Sequence, residues 1–382
     1  MKRQTKKIDF SAFASSLAAI LLGLLVGLII LFIADPNMAM KGFSAIVTGG
    51  ISSKKSFGQV LYYATPIIMT GLSVGFANKT GLFNIGGPGQ YTMGAFAAVY
   101  VGVKWTFLPV GIHCVVALLA AALAGAIWGL IPGLMKAYSN VNEVITCIMM
   151  NYIGLNLVNL LIRQVLFDQA RNQSRQPAAG AILPKMGLNK FFVSGATPSS
   201  VNIGIFIAIL LGIVMYVVVN KTKFGYELKA CGYNRDAAKY AGVDEKRSIV
   251  LSMAIAGALA GVGGALYYLS GAGTGIPLTD ELAAEGFNGI PVALLGMSHP
   301  IGVVFAGIFI SYLKVGGQSM QAFGFAPQII DIITSVIIYF AAFALFFKLM
   351  LGRLVHKKAE KNANADSEVL PIGQSQKGGE AQ

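Results

Sequence analysis

Apolar residues in this chain come in long unbroken runs rather than in amphipathic stripes. Leu17–Ala34 is an uncharged run of eighteen, and others fall near 58–77, 83–103, 108–133, 141–162, 201–220, 248–270, 281–297, 300–317 and 327–350. A helix needs about 20 apolar residues to cross roughly 30 Å of hydrocarbon, so each run predicts a span. The expected fold class is therefore all-α and polytopic, with about ten transmembrane helices. Polar stretches set the divisions. Residues 1–13 form an N-terminal segment and 14–350 a transmembrane domain interrupted by long loops at 163–200 and 221–247. Residues 351–382 form a tail whose Ala, Lys, Glu, Asn, Gly and Gln content predicts disorder. The first run lacks the short apolar core and small-residue cleavage site of a secretory signal, which predicts an uncleaved span.

Composition agrees. Hydrophobic residues make up 55% of the 382, above the roughly 45–50% of soluble domains. The net charge of +13 would point to nucleic acid in a soluble protein. Here the charge lies in loops and ends, so no nucleic-acid partner is expected. With ten spans and the N-terminus inside, 19 of the 29 Lys and Arg fall on cytoplasmic segments and 9 on outer ones. That is the bias of a multi-pass membrane protein with both termini inside. Seven basic residues lie in 221–247 alone, and residues 229–242 of that segment read as a short helix with a turn. The loop 163–200, rich in Gln, Asn, Arg, Pro and Ser, suits an outer surface that meets a partner.

Catalytic and metal chemistry find little support. Cys114, Cys147 and Cys231 have no metal-ligand spacing, and His113, His299 and His356 are scattered. The stretch nearest to a phosphate-binding loop, Gly49 to Ser56, lacks the second glycine before its lysine. The chain is expected to be no enzyme and to bind no cofactor. If ATP powers it, another chain must hydrolyse it.

Asn78–Gly94 is the more telling stretch: five glycines and a proline interrupt what should be a span. A helix broken inside a membrane frees backbone polar groups, which survive only beside protein or a water-filled cavity, and such breaks point to a transporter's substrate path. The alternative is a re-entry turn that only shapes the fold. On the first reading Phe83, Asn84, Gln90, Asn151 and Asn288 line the path. Gly81-Leu-Phe-Asn-Ile-Gly86 has a weak echo in Gly286-Phe-Asn-Gly-Ile-Pro291, running in the opposite direction across the membrane. An inverted repeat would give this, with the two breaks facing each other near the midplane. Asn142, Glu143, Asn156, Glu285, Lys314 and Asp331 are further polar residues at membrane depth, marking either a pathway or buried pairs. Phe83, Tyr91, Tyr267 and Tyr268 offer aromatic faces for a ring-shaped ligand, or plain core. Glycines four apart, at 125, 129 and 133 and at 257 and 261, predict close helix packing.

Asp236-Ala237-Ala238-Lys239-Tyr-Ala-Gly242 resembles, with Asp for Glu, the Glu-Ala-Ala-x-x-x-Gly loop by which ABC importer permeases grip their ATPase. Its setting, Phe224-Gly225-Tyr-Glu227-Leu-x-Ala230-x-Gly232-x-Asn234, and the segment Gly81 to Gln90 are similar to the branched-chain amino acid, ribose and nucleoside permease family. Within it they resemble the branch that serves basic-membrane-lipoprotein-type receptors and imports nucleosides. The Ile-x-Leu-Pro ending usual in other importer branches is missing. The resemblance covers roughly 58–350 and implies a heteromeric importer: this subunit, a second permease, an ABC ATPase (a twin-cassette form among the options) carrying ATP and Mg, and a surface lipoprotein. It further implies that Asp236 to Gly242 form a coupling helix, with Glu227, Arg235 and Lys239 orienting it by ion pairs. Ribose or another sugar stays open as substrate. The rivals are an ion-coupled transporter acting alone and a membrane enzyme.

Overall fold

The computed structural model describes residues 10–195 and 197–342, which fold mostly as helices. Lipid offers no hydrogen bonds, so an apolar run must satisfy its own backbone, and the helix does so within one segment. In chain order the helices are α1 (Phe10–Ala34), α2 (Ala39–Thr48), α3 (Lys54–Asn78), α4 (Gly87–Lys104), α5 (Ile112–Ser139) and α6 (Glu143–Leu161), the last extended by a π-helical turn to Leu166. A short α7 (Leu188–Phe191) sits in the long loop between two hairpins, β1 (Phe167–Asp168) with β2 (Gln173–Ser174) and β3 (Val193–Ser194) with β4 (Thr197–Pro198). Then follow α8 (Gly204–Lys221), α9 (Lys223–Tyr233), α10 (Arg235–Tyr240), α11 (Glu245–Tyr268), α12 (Ala284–Leu295), α13 (Pro300–Ser319) and α14 (Pro327–Ala342).

Among the described residues, six helical stretches are long and apolar enough to cross a membrane: α3, α5, α6 with its π turn, α8, α11, and α13 with the turn after it. A polytopic membrane protein follows. The run read as a span over 281–297 needs correction. Its helix, α12, has 12 residues, about 18 Å at 1.5 Å per residue, too short to cross. The run over 83–103 likewise becomes a helix only at Gly87, behind an extended stretch. Residues 343–350 of the last expected span, the tail over 351–382 and most of the N-terminal segment lie outside the described residues.

Helix α11 is the centre of the bundle, packed on α3, α4 and α5. Its Gly257 and Gly261 meet Gly125 and Gly129 of α5 backbone to backbone, leaving no room for a Cβ on either side. In lipid, where apolar burial drives nothing, such close backbone approach holds helices together. A second cluster, with Leu31, Ile46, Leu313, Phe325 and Ile333 among its members, joins α1, α2, α13 and α14 at the periphery. The basic segment 221–247 gathers α9 and α10 at one end of the bundle, here called the basic face. The hairpin loop covers the opposite end, where Ser174 bonds to Ile276 and Leu183 to Leu269.

Candidate functional site

The first break begins where α3 ends at Asn78. Gly81 takes φ +71°, and residues 82–84 run without helix before α4 starts at Gly87, with Pro88 in its first turn. Proline belongs there because a first-turn N–H would be orphaned anyway. The freed backbone groups are met by side chains. Asn84 Oδ1 accepts from Gly86 N (3.2 Å), while Asn151 Oδ1 accepts from Gly89 N (2.9 Å) and Asn151 Nδ2 donates to Ile85 O (3.0 Å). Asn84 and Gln90 exchange amide bonds, Nδ2 to Oε1 at 2.9 Å and Nε2 to Oδ1 at 3.0 Å, and Asn84 Nδ2 also reaches Ser73 Oγ at 3.0 Å. All three amides are buried. Both Asn84 donors are engaged, so these side chains knit the break. Phe83 is only half-buried.

The second break precedes α12. Here Gly286 lies against Pro88 and Gly87: a Cβ on Gly87 would stand 2.8 Å from the Gly286 carbonyl oxygen, and one on Gly286 would strike the Pro88 backbone. The N-termini of α4 and α12 therefore meet inside the bundle. Thr70 Oγ1 of α3 donates to Glu285 O at 3.0 Å, tying α12 to the wall. Asn288, half-buried one turn further on, has no hydrogen-bond partner among the described residues.

Around this junction stand five tyrosines. Tyr62 stacks on Tyr267 at 5.7 Å between centroids, Tyr63 tilts on Tyr62 at 5.1 Å, and Tyr91 faces Tyr268 at 6.4 Å. Tyr267 and Tyr268 meet edge to face at 5.1 Å. The Glu285 carboxylate pairs with Lys314 Nζ at 3.4 Å, and that ammonium lies 4.9 Å from the Tyr63 ring centre. The Tyr91 hydroxyl is buried with no partner among the described residues, and a buried polar group so placed asks for a water or a ligand. Chemically the cluster offers aromatic faces, a carboxylate and an ammonium, with the Asn288 amide on the same helix as Glu285. Of the residues expected from sequence, Tyr91, Tyr267, Tyr268, Glu285 and Lys314 come together. Tyr62 and Tyr63 were missed, because aromatics inside an apolar run read as core. Glu143 instead pairs with Lys136 at 2.8 Å across the α5–α6 turn, and Asn142 caps α6. Asn156 bonds within its own helix, and Asp331 is exposed.

At the basic face a series of caps folds the polar segment. Thr222 caps α9, Asn234 caps α10 through Ala237 N (2.9 Å), and Asp244 caps α11 through Arg247 N (3.0 Å). Such caps satisfy the first orphan donors of each helix. Gly242 closes α10 with φ +81°, while Val243 N returns to Ala238 O at 3.0 Å, the left-handed ending glycine favours. Ala238 is buried and seats α10; Asp236, Ala237, Lys239 and Gly242 are exposed, and Arg235 is intermediate. Glu227 pairs with Lys223 of its own helix at 3.7 Å, whereas Arg235 and Lys239 have no carboxylate within 4 Å among the described residues. Tyr226, Tyr233 and Tyr240 stand out at 70%, 90% and 95% exposure. Below them Gly232 rests on the Lys79 carbonyl and Gly81 nitrogen, so α9 abuts the first residues of the α4 break. Among the described residues no group of His, Cys, Asp and Glu is placed to hold a metal, and the three cysteines are free and buried.

The chain is 39% identical over 347 residues to the guanosine ABC transporter permease protein NupP of Bacillus subtilis, covering 90% of this chain and 97% of that protein. It is 34% identical over 367 residues to the nucleoside ABC transporter permease protein NupB of Lactococcus lactis (94% and 98%). With the glucose ABC transporter permease protein TsgB13 of Haloferax volcanii it shares 31% over 360 residues (93% and 94%). No solved structure matches. The profile described as the permease component of the branched-chain amino acid transport system matches residues 56–342, and the chain, a membrane permease subunit rather than an enzyme, belongs to that family.

Proposed function

We propose that this subunit forms half of the translocation path of a bacterial ABC importer, and that its cargo is a nucleoside. The carrying observation is the meeting of two helix N-termini beside five tyrosines, with a buried Tyr91 hydroxyl and an Asn288 amide left unpartnered. A nucleoside supplies what these groups lack: a planar base for the rings and hydroxyls for the amide. The two breaks run in opposite directions across the bundle, which supports an inverted repeat. Counting α1, α4, α12 and α14 with the six long spans gives ten membrane segments, of which α4 and α12 complete their crossings with the extended chain before them. The basic face lies in the cytoplasm on this reading. A sugar is the second reading, favoured by the similarity to a glucose permease, and it would use the same hydroxyl acceptors without needing so many rings.

The motor is a separate ATPase that holds ATP and Mg, docked on α10 and the exposed tyrosines, with Asp236 to Gly242 as the coupling helix. A second permease completes the path, and a surface lipoprotein delivers substrate to the hairpin face. ATPase closure moves α10 and α9, α9 presses on the chain at Lys79–Gly81, and the break beneath α4 shifts access to the tyrosine cluster. Substrate choice is tested by uptake into vesicles holding the complete importer: guanosine should accumulate with ATP, and glucose or ribose should not compete. Preferential sugar uptake would replace the nucleoside reading. Coupling is tested at Gly242. A Cβ there meets nothing within 4 Å, and the strain of a left-handed leucine is confined to the α10 turn, so Gly242→Leu should leave membrane insertion intact. It should abolish uptake while Gly242→Asn, which tolerates the left-handed backbone, keeps most of it. Full uptake in Gly242→Leu would remove α10 from the docking site.

A further inference from the structure

A cavity of about 300 Å³ opens at the basic face between the end of α3, α9 and the turn joining α12 to α13. Lys79 and Lys229 line it together with Asn78, Gly232, Tyr233 and Ser298, and no Asp or Glu contributes. Both lysines are half-buried, and neither has a carboxylate within 4 Å among the described residues. Two like charges sharing a partly desolvated space, each without a counter-ion, are mutually unfavourable. The strain is visible at Lys79, whose pKa is held below the ordinary lysine range by burial first and by the Lys229 charge second. Asn78 Nδ2 donates to Ser298 Oγ at 3.1 Å, which leaves the Ser298 O–H as a further donor without an acceptor among the described residues. The cavity thus offers two ammonium groups and a hydroxyl proton.

We infer that this cavity binds a phosphate monoester, held between Lys79 and Lys229 with Ser298 donating to a third oxygen. The three acceptor oxygens of such a group match the donors present, and its charge neutralises both lysines. The volume, at the lower end of ligand sites, exceeds a bare phosphate and leaves room for an organic body beside the Tyr233 ring at the rim. Lys79 belongs to the chain entering the α4 break and Lys229 to α9, so a ligand bridging them ties the cytoplasmic segment to the transmembrane part. The phosphate could come from a soluble ester or from the headgroup of phosphatidate.

The test is lysine labelling by an amine-reactive reagent, followed by mass spectrometry on the complete importer, with its ATPase sites filled by a non-hydrolysable ATP analogue. Guanosine 5′-monophosphate at millimolar concentration should slow modification of Lys79 and Lys229 about tenfold and leave exposed Lys246 unchanged. Lys229→Gln should abolish protection at Lys79. A second arm compares nanodiscs with and without phosphatidate; protection there alone assigns the headgroup. Unchanged labelling in both arms overturns the proposal. So does a Lys79 already unreactive without any ligand, because the ATPase would then occupy the cavity.

Discussion

The two breaks differ in how they treat their polar groups. Ahead of α4, the loosened backbone is closed off by Asn84, Gln90 and Asn151, and their buried amides are engaged with one another and with the chain. In the first turns of α12, Glu285 is paired but only partly buried, and among the described residues Asn288 and the buried Tyr91 hydroxyl have no side-chain hydrogen-bond partner. One break is finished and the other is open. The lesson is that two helix breaks of similar sequence can differ in what they leave free: the first is a closed shoulder, while the second keeps polar groups without partners among the described residues.

Mutations can break this contrast. The largest effect is expected at the junction, where Gly286→Val drives a branched side chain into the Pro88 backbone. It should yield little folded protein by size-exclusion chromatography in detergent, and a well-folded variant would mean that the helix starts are not in contact. Next comes Asn84→Ala, which strands the Gln90 amide and the Gly86 N–H at roughly 1–3 kcal/mol each. A clear fall in thermal midpoint is expected; an unchanged midpoint would mean water replaces the amide and the shoulder is not closed. The smallest effect on stability is expected at Asn288→Ala, within about 0.5 kcal/mol of the parent. Uptake should nevertheless weaken several-fold through substrate affinity. If Asn288→Ala destabilised as much as Asn84→Ala, the distinction between the breaks would vanish.

The basic segment 221–247 was among the more legible parts of the chain, because its signals are local. The sequence predicts a short helix with a turn over 229–242; the structure places two helices across it, α9 ending at Tyr233 and α10 running from Arg235 to Tyr240, divided by an Asn234 cap not foreseen from sequence. The α4 break was legible for the same reason, through Gly86, Gly87, Pro88 and Gly89. What Asn84 and Asn151 do was not, since Gly89 and Asn151 are 62 positions apart and only the folded bundle brings them within 2.9 Å. Glu285 and Lys314 stood out as charges at depth, but their pairing needs the geometry of two helices. The 281–297 run misled because apolar content measures hydrophobicity and not helix length; its first residues are extended chain. Tyr62 and Tyr63 carried no distinguishing pattern.

The contact of Gly232 with Lys79 and Gly81 has a mechanical meaning. Backbone touches backbone there with no side chain between them, so the joint has no cushion and no slack. On the proposed coupling route, a displacement of α9 would pass to the start of the α4 break through main chain alone, with no side-chain rotamer in between to absorb it.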